Sequence, residues 1–313
     1  MVAVRERQAS VAELLLTEGQ ADPNLGRSKG YYKSQIETPL SMAIIKRMCH
    51  LVALFLAKGA SPDEHAIAAA LEWGGIAEVL RQLLEAGGHP PPSAIITAVD
   101  SALRDEIEVA RILIDRERLD VNYVADQNSE FAGEGTALNA AVMRGKVKTV
   151  GLLLERGADA NLAAGKYGTP LQRAARLGLY DFVPLLVAGG GDPNYVDDKY
   201  PCCPLYTAYE QLLQRRSKYL DHGDQERFMF LVDDVEVRLR LTIRELKKAG
   251  ATLLRPQFED AGNEVDFSAF LAVQQRYESE LPIIDGSLNQ ASPIQYDSDL
   301  WSLPTRGTTG SQE

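Results

Sequence analysis

Apolar residues recur along this chain in short blocks at helical spacing, separated by turns rich in Gly, Asp and Asn. Val150, Leu152, Leu153 and Leu154 line one face of such a block, and Val183, Leu185, Leu186 and Val187 line the same face 33 residues later. A glycine (Gly59, Gly157 or Gly190) sits just past the end of the block, where a left-handed residue closes a helix. An Asp/Asn stretch then turns into a projecting loop, or finger. A shorter block precedes each of these, with small residues (Ala43, Ala141, Ala174) at its packing positions. It opens on Thr38-Pro39-Leu40, Thr136-Ala137-Leu138 or Thr169-Pro170-Leu171, with a Thr suited to cap the helix and, twice, a Pro suited to its first turn. Gly145 and Gly178 mark the turn between blocks. The unit is therefore helix, turn, helix, finger.

The period is specific. From the capping Thr to the closing Asn or Asp there are 26 residues in each of three copies, 38–63, 136–161 and 169–194. This unit resembles the ankyrin repeat, a β-turn plus two antiparallel helices with a Thr-Pro-Leu start. The resemblance covers residues 7–253 and implies an all-α solenoid of about six to seven repeats with β-hairpin fingers. It also implies binding without catalysis, with a concave surface formed by finger tips and first helices.

Departures from the period carry the individuality of the chain. Asn24 to Asp63 and Asn122 to Asn161 are each 39 residues, and both gains fall in fingers, residues 25–37 and 123–135. The finger after Asp63 is nearly absent, ahead of a helix at about 66–73, and the link before Ser93 is the stiff Pro90-Pro91-Pro92. Two long fingers thus bracket a notch floored by repeats at about 64–91 and 93–122. At the start, Val11, Leu14, Leu15 and Leu16 read as a second helix without its first, an apolar face that a homodimer could use. At the other end Cys203-Pro204-Leu205 opens a repeat that closes at Gly250-Ala251-Thr252. About 26 extra residues, 212–237, lengthen its helices. Residues 254–313 form a tail, with helical spacing over 265–281 and a composition suited to disorder from Asp285.

Charge narrows the partner. The formal net charge is -11, and the tail carries ten acidic and three basic residues, leaving 34 acidic against 30 basic in residues 1–253. A near-neutral body with an acidic tail predicts no direct binding to nucleic acid and no anionic membrane surface. No apolar run reaches membrane-spanning length. Three cysteines, Cys49, Cys202 and Cys203, predict reduced thiols and a cytoplasmic or nuclear location. The acidic tail motif around Ile294, Tyr296, Leu300 and Trp301 reads as a docking segment or an internal blocker of the groove.

Catalytic and metal motifs are missing from the sequence: four histidines form no metal-ligand spacing, and no nucleophile elbow occurs. No cofactor is expected and the chain is read as a non-enzyme. The alternative is a small-molecule-processing enzyme on the same scaffold, its site in the notch among Trp73, His89, Asp100 and Arg104. The family pattern puts Ile45, Lys46, Trp73, Met143, Arg144 and Arg176 at the variable first-helix positions. The fingers add Tyr31, Tyr32, Lys33, Tyr123, Phe131, Lys166, Tyr167, Tyr195 and Tyr200. Seven of those nine finger residues are aromatic in a chain that is 7% aromatic. Tyr, Trp and Arg anchor interfaces by burying large area at low entropy cost. The predicted function is a protein-binding module, as adaptor, inhibitor or transcriptional co-regulator. The plainer reading is that finger tyrosines pack sideways on their neighbours.

Overall fold

The structure, a computed structural model, describes residues 2–25, 27–28, 36–74, 77–100, 106–126, 129, 131–197, 199–220, 234–253 and 275; at 27–28, 36–37, 73–74, 215–220 and 234 only the backbone is described. The chain divides into two units, Met1–Gln257 and Phe258–Glu313. Of the second only Gln275 is described, so the expected tail helix at 265–281, the disorder from 285 and the docking motif lie outside the described residues.

The first unit is a helical solenoid. Its helix pairs are α1 (Val2–Arg5) with α2 (Ala9–Thr17), α3 (Pro39–Ile45) with α4 (Cys49–Ala57), and α5 (Glu64–Ala69) with α6 (Ala77–Glu85). They continue as α7 (Ala94–Asp100) with α8 (Glu106–Arg111), α9 (Ala137–Met143) with α10 (Val147–Glu155), α11 (Pro170–Leu177) with α12 (Phe182–Ala188), and α13 (Pro204–Leu220) with α14 (Asp234–Lys248). These are seven repeats. First helices stack on first helices (α3 on α5, α7 on α9, α9 on α11, α11 on α13) and second helices on second helices, which gives two layers. The stack is close because its seam is alanine: Ala43, Ala98, Ala141, Ala174 and Ala208 are all fully buried.

Local chemistry starts each repeat. Thr38, Thr136 and Thr169 accept a hydrogen bond from the backbone N–H three residues on, and Ser41 and Gln172 return the bond at the first and last of these. In the seventh repeat a thiol takes this place: Cys203 Sγ accepts from Tyr206 N at 3.4 Å. Closure uses the left-handed conformation at Gly59, Gly87, Gly157, Gly190 and Gly250, and Arg118 is forced into it in the fourth repeat (φ 53°).

Fingers are tied to the following repeat by asparagine. Asn161 Nδ2 donates to Gly190 O at 2.8 Å and its Oδ1 accepts from Asp192 N at 2.7 Å. Asn24 does the same to Gly59 and Ser61, Asn122 to Gly157 and Asp159, and Asn194 to Gly250 and Thr252. The clasp is missing on both sides of the third repeat. There Asp63 instead caps α5 through Ala66 N at 2.8 Å, so no finger intervenes, and Pro91 turns straight into α7. Ion pairs Arg81–Glu108 and Arg116–Glu85 join the third and fourth repeats in its place.

Two expectations change. The first repeat does have a first helix, the single turn α1, with Ala3 and Val4 buried; four residues are too few to show a period, and the solenoid begins before residue 7. The helix expected at about 66–73 starts at Glu64 and ends in a π-helical turn, Ala70–Gly74; a second such turn follows α8 at Ile112–Arg116. The seventh repeat's helices run 17 and 15 residues, against seven to nine in α9 to α12, and residues 221–233 lie outside the described residues. The first long finger closes as a hairpin, β1 (Arg27–Ser28) antiparallel to β2 (Ile36–Glu37).

Candidate interaction surface

The fingers that follow the fourth and fifth repeats are joined through their backbones. Lys166 N donates to Gly133 O at 3.1 Å across the two loops, and Ala164 N donates to Gly168 O at 3.1 Å within the second. A Cβ at Gly135 would lie 2.4 Å from Gly165 N, so the two loops can approach only as glycine. Side chains from the first helices brace them from behind. Asn139 Nδ2 donates to Ala164 O and Gly168 O, and Gln172 Nε2 donates to Cys202 O at 2.8 Å.

Arg173 is the centre of this arrangement. It is fully buried, at 0% exposure. Its guanidinium donates to Gly133 O at 2.8 Å, Glu134 O at 3.3 Å and Met143 Sδ at 3.2 Å. Its Nε has no partner, and no carboxylate lies within ion-pair distance among the described residues. Burial pulls its pKa down to about 10, which leaves it a cation at neutral pH. The Tyr167 ring stands 5.0 Å from that guanidinium. Two more cations reach the same ring, Arg176 at 4.9 Å and Lys166 at 5.4 Å, and both are exposed. Three cations thus gather around one phenol ring.

The structure brings Met143, Lys166, Tyr167 and Arg176 together around Arg173. Tyr200 adjoins them, but its hydroxyl donates to Gly165 O at 2.5 Å, so it packs sideways on the neighbouring finger. Tyr195 behaves likewise: its hydroxyl donates to Asp197 at 2.9 Å, and burial with that carboxylate pushes the phenol up. Arg144 is exposed and pairs with Asp100 of the fourth repeat at 2.5 Å. Tyr123 and Phe131 are half-buried in the turns of the second long finger. Ile45 (36% exposed) and Lys46, whose carbonyl accepts from Arg7, belong to the second repeat and stand apart from the cluster. Tyr31, Tyr32 and Lys33 lie outside the described residues, as does the side chain of Trp73.

Sequence reasoning missed Arg173, Asn139 and Gln172. The last two occupy the third helical position after a capping Thr, where a return bond is foreseeable. Arg173 left one signal, a second charge in the short α11 beside Arg176. In the notch, Asp100 pairs with Arg144 from the next repeat; Arg104 is outside the described residues, and His89 is exposed. Among the described residues no group of three His, Cys, Asp or Glu could hold a metal ion, and no helix is long and apolar enough to cross a membrane.

Comparison with known proteins agrees with the architecture. The family model described as "Ankyrin repeats (3 copies)" matches residues 95–198. Among solved structures, the ankyrin repeat domain of Bcl-3, a member of the IkappaB protein family, is similar at 24% identity over 66% of this chain and 91% of that one, with a TM-score of 0.50. The human ASB11 ankyrin repeat domain follows at 20% identity, covering 77% and 95%, with a TM-score of 0.49. An Acinetobacter baumannii ankyrin repeat domain follows at 22%, covering 68% and 98%, with a TM-score of 0.48. At these identities the likeness is one of fold. No curated protein sequence matches the chain.

Proposed function

Because this chain belongs to the ankyrin-repeat family, whose repeats generally serve as protein–protein interaction modules, we propose that it is a non-catalytic adaptor, inhibitor or co-regulator holding a protein partner on the fingers and groove of its fifth to seventh repeats. The observation that carries this reading is the Tyr167 cluster: an aromatic ring with two exposed cations, seated on finger loops that hydrogen bonds and glycine contacts already hold rigid. A side chain fixed before binding loses little entropy on binding, so it can act as an anchor. Three free cysteines support work in a reducing compartment, cytosol or nucleus.

The test is affinity capture from native lysate with quantitative mass spectrometry, comparing the full chain with Tyr167→Ala and with the triple change of Tyr31, Tyr32 and Tyr123 to Ala. Loss of a stoichiometric protein partner in Tyr167→Ala supports the reading. A partner retained by both variants would move the site elsewhere. A second use is supported at the N-terminal repeat, where Val11, Leu14 and Leu15 are 45%, 55% and 46% exposed on one helix face. Sedimentation that gives a monomer at high concentration rules out a homodimer there.

A further inference from the structure

Several cations of the third to fifth repeats are answered by a carboxylate from the adjoining repeat. Arg144 meets Asp100, Lys146 meets Glu106, Arg156 meets Asp115 and Arg81 meets Glu108. The Tyr167 cluster differs. Arg173, Arg176 and Lys166 gather on one ring, and none forms an ion pair with a described residue. Arg173 is neutralised only by carbonyl dipoles and a thioether, with Glu134 acting on it at longer range. Keeping three like charges together costs energy, and a buried guanidinium without a counter-charge costs more. An anion arriving at the exposed side would relieve all three at once.

Resting on the reading of this surface as a partner site, we propose that its partner is an acidic peptide segment, which places an Asp or Glu carboxylate between Lys166 and Arg176 beside Tyr167. Arg176 can grip a carboxylate in two-pronged fashion, Lys166 adds a point charge, and the buried Arg173 supplies a fixed positive field beneath them. Nucleic acid is the poorer fit. Its bases need a free aromatic face to stack on, and here cations crowd the ring. Its backbone needs a basic stripe, whereas this chain has a net charge of -11.

The experiment is fluorescence anisotropy on the full chain with one short labelled peptide rich in Asp and Glu, its Asn/Gln analogue, and a labelled oligothymidylate. The acidic peptide alone is expected to bind, and added salt should weaken it. Lys166→Glu with Arg176→Glu should reduce that binding about tenfold or more, and Arg176→Gln severalfold. Lys148→Glu, on the exposed side of α10, should leave it unchanged. Circular dichroism checks that each variant folds. Binding of the uncharged analogue equal to that of the acidic peptide overturns the acidic class, while the partner-site reading still stands or falls on lysate capture. Tighter binding of the oligothymidylate, no binding of the acidic peptide, or equal loss in Lys148→Glu also overturns it.

Discussion

Substituting Asn161 by Ala removes one complete clasp between the fifth and sixth repeats. Two hydrogen bonds vanish, from Nδ2 to Gly190 O at 2.8 Å and from Asp192 N to Oδ1 at 2.7 Å. Each is worth about 0.5–1.5 kcal/mol net, and because the site is exposed the freed backbone groups can turn to water, so the loss should be about 1–2 kcal/mol. For a unit of this size that corresponds to a fall in Tm of about 3–6 °C. The backbone bond from Asn161 N to Asp159 Oδ1 survives, so the turn itself should persist. Thermal and urea unfolding followed by circular dichroism would read the change. Asn122→Ala, which removes the same two bonds one repeat earlier, should match it, and the double variant should be roughly additive. If either single variant melts within about 1 °C of the parent, the clasp does not hold the repeats together and the reasoning fails.

Other outcomes follow from particular residues. Arg118→Gly should stabilise the chain by about 0.5–1 kcal/mol, because Arg118 occupies a left-handed position that costs a side chain energy; a fall in the urea midpoint would contradict this. Gly168→Ala should destabilise strongly, since φ is +80° and the new Cβ would lie 2.1 Å from Gln172 Oε1; an unchanged melting curve would show that the finger can shift. Titration with Ellman's reagent should find one fast thiol, the exposed Cys49, and all three only after unfolding, because Cys203 is buried and burial pushes Cys202 up to about 12. A folded pKa of about 12 against an ordinary 9 means that the folded chain keeps the Cys202 proton longer. This contribution is constant below pH 9, and stability falls as pH rises from there towards 12; Cys202→Ser should flatten that slope.

The fold was readable because its signals are local. A Thr cap, a small residue five positions on and a closing Gly each act within one repeat, so their period survives in the sequence. The clasping asparagines were visible as closing residues, yet their partners lie 29 to 37 residues away, or 56 and 58 across the seventh repeat's insertion, and only the stack reveals them. The candidate surface was half legible. Met143, Lys166, Tyr167 and Arg176 were named from finger and helix positions, whereas Tyr195 and Tyr200 spend their hydroxyls on internal bonds. Arg173 escaped because side-chain burial between two fingers leaves no periodic trace. The short α1 escaped because one turn cannot display a period.

The third repeat, unclasped on both sides, also bears on how the chain folds. Three asparagine clasps hold the fourth to seventh repeats in series, and one holds the first to the second. In a solenoid whose repeats touch only their neighbours, folding begins where adjacent repeats couple most strongly and spreads until it meets a weak junction. The longer, C-terminal block should therefore form first and offer α7 as a template, with the opening repeats joining afterwards across a joint held by helix packing and two ion pairs. Because salt screens exposed ion pairs, ionic strength should retard that late step more than the early one. The rate at which the amino-terminal end closes onto the rest thus becomes adjustable by solvent, while the surface around Tyr167 is assembled before it.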